Sequence, residues 1–327
     1  MQFDQLKRRE FITMLSAATV LPRAAIAQQG ERVRRIGLMA NLPLRPIERF
    51  RKALQELGYV EDRNLVIEYR FAEGRDERYP AFAVELAARP VDLIVTWGTP
   101  AAFAAKQATA TIPIVLGAIG DAVNTGLVSN LARPGGNITG FVALNVDLEE
   151  KRLELLKELL PSLSRVAILG NSLNPLNRIN LDTARRAAQR LAVTIDAYEV
   201  RSSQDVSGAL RAIAAAGPDA VLLASDTQLL SERKQIAEAM AASKIPAIYP
   251  FREYFEVGGF IAYGANLSIL FERAAGYVDR ILKGEKPANL PVQQATAFEI
   301  LINLKAATGL GLTLPPSVLV RADEVIE

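Results

Sequence analysis

Along this chain, short runs of β-branched and aliphatic residues alternate with longer stretches in which apolar residues return every three or four positions. The first pattern predicts strands buried on both faces, and the second predicts amphipathic helices. Arg35–Met39 is the first predicted strand. Ile47–Leu57 is its helix, stopped by Gly58 at the position where a left-handed residue commonly ends a helix. Leu65–Tyr69, a helix over Tyr79–Ala88, a strand over Leu93–Thr96 and another over Ile112–Leu116 follow. Strands and helices in strict alternation predict βαβ units and parallel sheets.

The same order then recurs at an offset of about 130 residues. Arg165–Leu169 answers the first strand, Leu181–Leu191 the first helix and Val193–Val200 the second strand. Pro218–Leu223 answers Pro90–Val95, and Lys244–Ile248 answers Thr111–Val115. That period is too long for a solenoid and fits a duplicated Rossmann-like lobe. The predicted fold class is therefore α/β, with two Rossmann-like lobes of parallel sheet and a cleft between them.

Ligands of open α/β sheets lie at the carboxyl ends of the strands, so the turns there carry the candidate chemistry. In the first half these are Asn41-Leu42-Pro43, Trp97-Gly98-Thr99-Pro100 and Gly117–Asp121, which includes Ala118. In the second they are Asn171-Ser172-Leu173-Asn174, Ser225-Asp226-Thr227 and Tyr249–Glu253. Thr99 is expected to cap the following helix, with Pro100 at its first position, and its neighbouring amides suit a carboxylate. Trp97 is either a wall for an apolar or aromatic ligand or a core residue beneath that helix. Asp226 can accept an ammonium or hydroxyl, or cap a helix beginning near Leu229. Arg252 can pair bidentately with a carboxylate or form a salt bridge with Glu253 or Glu256. Asp121 reads first as the cap of a helix over Ala122–Leu131. Asn171, Ser172 and Asn174 are neutral donors and acceptors.

Composition narrows the function classes. The chain has 327 residues, half of them hydrophobic, with no Cys and no His. That removes thiol nucleophiles, the Ser-His-Asp triad, disulfides and Cys or His zinc sites. Phosphate-loop and dinucleotide glycine motifs are also missing from the sequence. No cofactor and no metal are expected. At the N-terminus, Lys7-Arg8-Arg9 precedes the apolar run Phe11–Leu21, and Ala25-Ile26-Ala27 offers a small-residue cleavage site before Gln28. Residues 1–27 resemble a twin-arginine export signal, too short to span a bilayer. Without them the formal charge of +2 falls to near neutral, which gives no electrostatic reason to bind nucleic acid.

Gly120–Val128 (GDAVNTGLV) with Leu131–Gly140 (LARPGGNITG) resembles the signature of ABC-transporter substrate-binding proteins related to the tryptophan-binding component of some bacteria. The resemblance continues through FRKALQELGY (50–59), GTPAAFAAK (98–106), GGFIAYG (258–264), YVDRILKGEKP (277–287) and RADEVIE (321–327). It implies a periplasmic-binding fold of the first type with three crossovers, near Phe141–Asp147, Gly264–Leu267 and Asn289–Val292. Lobe 1 would then comprise 28–142 plus 267–290, and lobe 2 would comprise 143–266 plus 291–327. Asn145, in the first crossover, and Tyr263, in GGFIAYG, join the candidate ligand-binding residues. The chain departs from the family in having Ala122 after Gly-Asp, where members commonly carry Pro, and in lacking an acidic residue near Ser268–Leu270. The implied protein is a periplasmic, monomeric, membrane-free carrier. It closes on a small organic solute, an amino acid or other carboxylate, and delivers it to permease subunits. The competing readings are a secreted two-lobed enzyme and a sugar-repressor-like regulator; the latter requires a DNA-binding segment where this chain has an export signal.

Overall fold

In the computed structural model, residues 33–143 and 145–327 are described, the side chains of 145–147 excepted. The export signal predicted over 1–27 lies outside them. Arg34–Glu327 forms one compact unit containing two sheets.

The first sheet begins with β1 (Arg34–Ala40), followed by α1 (Arg45–Glu56), β2 (Leu65–Phe71), α2 (Tyr79–Ala87), β3 (Leu93–Trp97), α3 (Thr99–Ala108), β4 (Ile114–Ile119) and β5 (Ile138–Val142). Its order is β11-β5-β4-β3-β1-β2, where β11 is Gln293–Gln294. α1 shows why the pattern reads correctly: Pro46, Ile47, Phe50, Ala53 and Leu54 form one buried stripe. Gly58, at φ +93°, ends it as expected. Every residue of β3 and β4 is buried, each large aliphatic side chain contributing about 1.5–3 kcal/mol.

The second half repeats the plan. α4 (Asn145–Leu159) leads into β6 (Arg165–Asn171), α5 (Pro175–Leu191), β7 (Thr194–Val200), α6 (Ser203–Ala216), β8 (Ala220–Leu223), α7 (Thr227–Ser231), α8 (Arg233–Ala242), β9 (Ala247–Tyr249), α9 (Arg252–Phe255) and β10 (Ile261–Ala265). After α10 (Leu267–Leu282) and β11 come β12 (Phe298–Asn303), α11 (Leu304–Gly309), α12 (Pro316–Leu319) and β13 (Glu324–Ile326). The second sheet runs β13-β12-β10-β9-β8-β6-β7, with β12 antiparallel to β10. Central strands β1 and β6 hold corresponding places, each lying between the next two strands of its own half: β2 and β3 beside β1, β7 and β8 beside β6. A lobe here means one sheet with its covering helices.

The chain passes between sheets after β5, after β10 and after β11. The last crossing falls after Gln294, later than 289–292, because Gln293 and Gln294 pair with Phe141 and Val142 of β5. Residues 291–294 thus sit with the first sheet. The crossing strands are tied together, with Ala295 N donating to Val142 O (2.8 Å) and Asn266 N to Ala297 O (3.0 Å).

The helix expected over Ala122–Leu131 is a series of turns instead. The Asp121 side chain accepts from the amides of Val123 (3.0 Å) and Asn124 (2.9 Å), and Gly126 adopts φ +77°. The Asx turn and the left-handed glycine together interrupt the helical path.

Candidate functional site

The two lobes are closed on each other. Ser203 Oγ of α6 donates to Gly74 O (3.0 Å), and Ser231 Oγ of α7 donates to Asn41 Oδ1 (2.6 Å). Three first-lobe glycines face the second lobe at close range. A Cβ on Gly74 would stand 2.6 Å from Ser203 Oγ, on Gly98 2.8 Å from Thr227 Oγ1, and on Gly120 2.0 Å from Leu176 Cδ2.

Between these contacts lies a narrow space, closed down to a cavity volume of about 20 Å³. From the first lobe it is lined by the end of β3 and start of α3 (Trp97, Gly98, Thr99), by the end of β4 (Ala118, Ile119, Gly120), and by Ala143. The second lobe contributes Asn174, Leu176, Ser225, Asp226, Thr227 and Phe251, and Leu267 closes it at the hinge. A smaller adjoining space is bounded by Asn41, Leu42, Leu44, Trp97, Thr227 and Leu230.

Gly98, not Thr99, is the N-cap of α3, at φ +91° and ψ 150°, and it supplies no side-chain acceptor. Thr99 and Pro100 are the first two helical residues. The helix therefore presents its first amides to the space without a capping oxygen of its own. At the corresponding point of the second lobe, Asp226 caps α7, accepting from Leu229 N at 2.8 Å. Its other oxygen accepts from Asn174 Nδ2 (2.8 Å) and Asn171 Nδ2 (3.2 Å). Burial pushes the Asp226 carboxyl up, and these donors pull it back. Ser225 Oγ is buried without a hydrogen-bond partner. Behind it stands Glu149, wholly buried and paired with Arg152 at 3.0 Å. Arg152 Nε in turn donates to Tyr263 O (2.8 Å).

Trp97 answers to both alternatives. It is 3% exposed, meets Phe271 edge-on at 5.3 Å and belongs to the apolar core, yet it also lines the space.

Several expected residues fall elsewhere. Arg252 is engaged by two partners absent from the sequence-based reading: Glu299 holds it bidentately (3.1 and 2.7 Å) and Glu324 binds its third nitrogen (2.6 Å). These carboxylates raise its pKa, and it does not line the space. Tyr249 is buried against Tyr254, rings stacked at 4.8 Å. Tyr263 sits in β10, outside the lining. Ser172 is exposed, its hydroxyl donating to Val200 O at 3.3 Å. Asp121 shapes its own turn. The side chain of Asn145 lies outside the described residues. Leu176, Phe251, Ala143 and Leu267 were not singled out from sequence, being apolar residues without a motif.

Among the described residues no helix is long and apolar enough to cross a membrane, and no cluster of three His, Cys, Asp or Glu is placed to hold a metal.

Two α/β lobes, three crossings and one shared space at the strand ends define a two-lobed periplasmic-type binding protein. A family model described as ABC transporter substrate binding protein matches residues 45–326, and the chain belongs to that family. It is a solute-binding protein of ABC transport. The tyrosine-binding protein of Clostridioides difficile (strain R20291) is 27% identical over 279 residues, covering 84% of this chain and 80% of that protein. A conserved domain protein from Vibrio cholerae is 28% identical with a TM-score of 0.84, covering 90% of this chain and 100% of the other. The ABC domain from Streptococcus pneumoniae in complex with L-Trp is 27% identical with a TM-score of 0.80, covering 89% of this chain and 100% of the other.

Proposed function

We propose that this chain is an exported periplasmic carrier for an amino acid with an apolar or aromatic side chain, handing it to a membrane permease without making or breaking a bond. The observation that carries the reading is the opposite polarity of the two facing turns. An uncapped helix N-terminus at Gly98-Thr99 suits a carboxylate, and buried Asp226 suits an ammonium. Trp97, Leu176 and Phe251 supply apolar walls for a side chain. Relatives named for tyrosine and solved with L-Trp support the same class. Arg252 has no part in this reading, since its guanidinium is satisfied elsewhere.

Calorimetry with L-tryptophan and L-tyrosine, their amides, and tryptamine and tyramine tests it. Loss of the carboxylate or its charge should weaken binding by about 1.5–3 kcal/mol, as for a charged hydrogen bond. A neutral sugar binding more tightly than any amino acid would overturn the proposal. Export is part of the same reading: mass spectrometry of the periplasmic fraction should find a chain beginning at Gln28, and an intact N-terminus in the cytoplasm contradicts it. Replacing Arg8 and Arg9 with lysines should block export by the twin-arginine route.

A further inference from the structure

Beside the solute space, and outside its lining, the closed lobes bring a second carboxylate up to Asp226. Asp76 belongs to the turn between β2 and α2 in the first lobe. Its Oδ1 accepts from Asn41 Nδ2 at 3.2 Å, and its Oδ2 stands 3.5 Å from Asn171 Nδ2 of the second lobe. That same amide nitrogen lies 3.2 Å from Asp226 Oδ2 and 3.3 Å from Gln228 Oε1. One NH2 group thus faces three acceptors with two hydrogens. The seam is short of a donor, and it exists only when the lobes meet, because Asp76 and Asp226 are carried by different lobes.

We propose that closure of the lobes takes up one proton at the Asp76–Asp226 seam, so that the closed state is favoured as the medium becomes more acid.

Charges around Asp76 do not remove the need for that proton. On its own turn, Arg75 and Arg78 both pair with Glu73, at 3.4 and 2.8 Å, and Glu77 adds negative charge. Tyr79 is buried close by, its hydroxyl held neutral by burial and by the charges of Asp76 and Asp226. Glu232, at the end of α7, approaches Gly74 from across the seam. Burial, then Asp226, then Glu77 push the Asp76 carboxyl up to about 8, against the opposing pull of Asn41. Asp226 is held by three donors, Leu229 N, Asn174 Nδ2 and Asn171 Nδ2, whereas the Asp76 carboxyl accepts from Asn41 and shares Asn171, so Asp76 is the member of the pair with the greater need of a proton.

The sign follows from linkage. A carboxyl that binds its proton more tightly in the closed state favours closure below its closed-state pKa. Closure is therefore favoured progressively as the pH falls from the alkaline side toward the ordinary carboxyl range.

Small-angle scattering of the solute-free protein tests this without assuming any ligand. The radius of gyration of the wild type should fall between pH 9 and pH 6, and Asp76→Asn, whose amide supplies the missing donor at every pH, should stay compact throughout. A wild-type radius that is the same at both pH values, or an Asp76→Asn variant that follows the wild type, overturns the inference. Calorimetry with L-tryptophan in buffers of different ionisation enthalpy gives a second readout: proton uptake near pH 7.5 in the wild type and its loss in Asp76→Asn. Failure of L-tryptophan to bind counts against the proposed solute class and leaves the scattering result to decide this inference.

Discussion

Trp97-Gly98-Thr99 and Ser225-Asp226-Thr227 occupy the same place in the two halves of a duplicated fold: the end of the third strand of the lobe and the cap of the helix that follows. Their backbones do the same job and their side chains do opposite ones. Where the first lobe has a large ring, the second has a hydroxyl without a hydrogen-bond partner; where the first has a glycine cap, the second has a capping carboxylate. Duplication supplies two like frames, and in the proposed reading divergence at two positions turns them into a positive and a negative end facing each other across one narrow space. A symmetrical pair of turns would hold a symmetrical ligand. This pair suits one whose two ends differ in charge.

The largest expected effect separates the two first positions. Trp97→Ala should cost about 3–5 kcal/mol of stability, the scale for removing a buried ring from a packed core, because the indole is wedged against Phe271. Ser225→Ala should leave the melting temperature unchanged or slightly raised, since an unpartnered buried hydroxyl carries a desolvation cost. Thermal unfolding of both variants checks the pair, and equal losses would end the comparison. The capping positions come next. Asp226→Asn should weaken an amino acid by about 1.5–3 kcal/mol in calorimetry while leaving its deaminated analogue unaffected; equal weakening of both would show the carboxylate to be purely structural. Gly98→Ala meets a backbone at φ +91° and Thr227 Oγ1 at 2.8 Å. It should cost about 1 kcal/mol in the fold, with a further loss in solute affinity because the new methyl props the lobes apart. The smallest effect on the solute belongs to Arg252→Met, expected to leave solute affinity unchanged while lowering stability by about 1–3 kcal/mol, because Glu299, 12% exposed, loses its bidentate partner. A large affinity loss there would return Arg252 to the site.

How much of this was legible in the sequence depended on the range of the signal. Strand and helix periods are local, so β1, α1, β3 and the duplication at about 130 residues could be read directly. Asn174, Asp226, Trp97, Gly98 and Thr99 were found together because all sit at strand ends of an alternating fold. The misread positions depended on distant partners or on weak local signals. Arg252 is satisfied by residues 47 and 72 positions away, and no local pattern announces them. β11 has only two residues, both glutamine, so nothing in its hydrophobicity marks a strand. Ala122–Leu131 reads as helical by composition, but Asp121 and Gly126 redirect it. Asp76 went unnoticed because its significance comes from Asn171, 95 residues on and in the other lobe.

The glycine notch at position 120, with Leu176 seated over it, has a kinetic meaning. A solute held beneath such a contact is released fastest when the hinge opens and lifts Leu176 away, a motion of microseconds to milliseconds. Tight capture and prompt unloading then need not conflict. A docking partner that only holds the lobes apart would raise the off-rate directly, leaving every contact to the solute as it was until the moment of release.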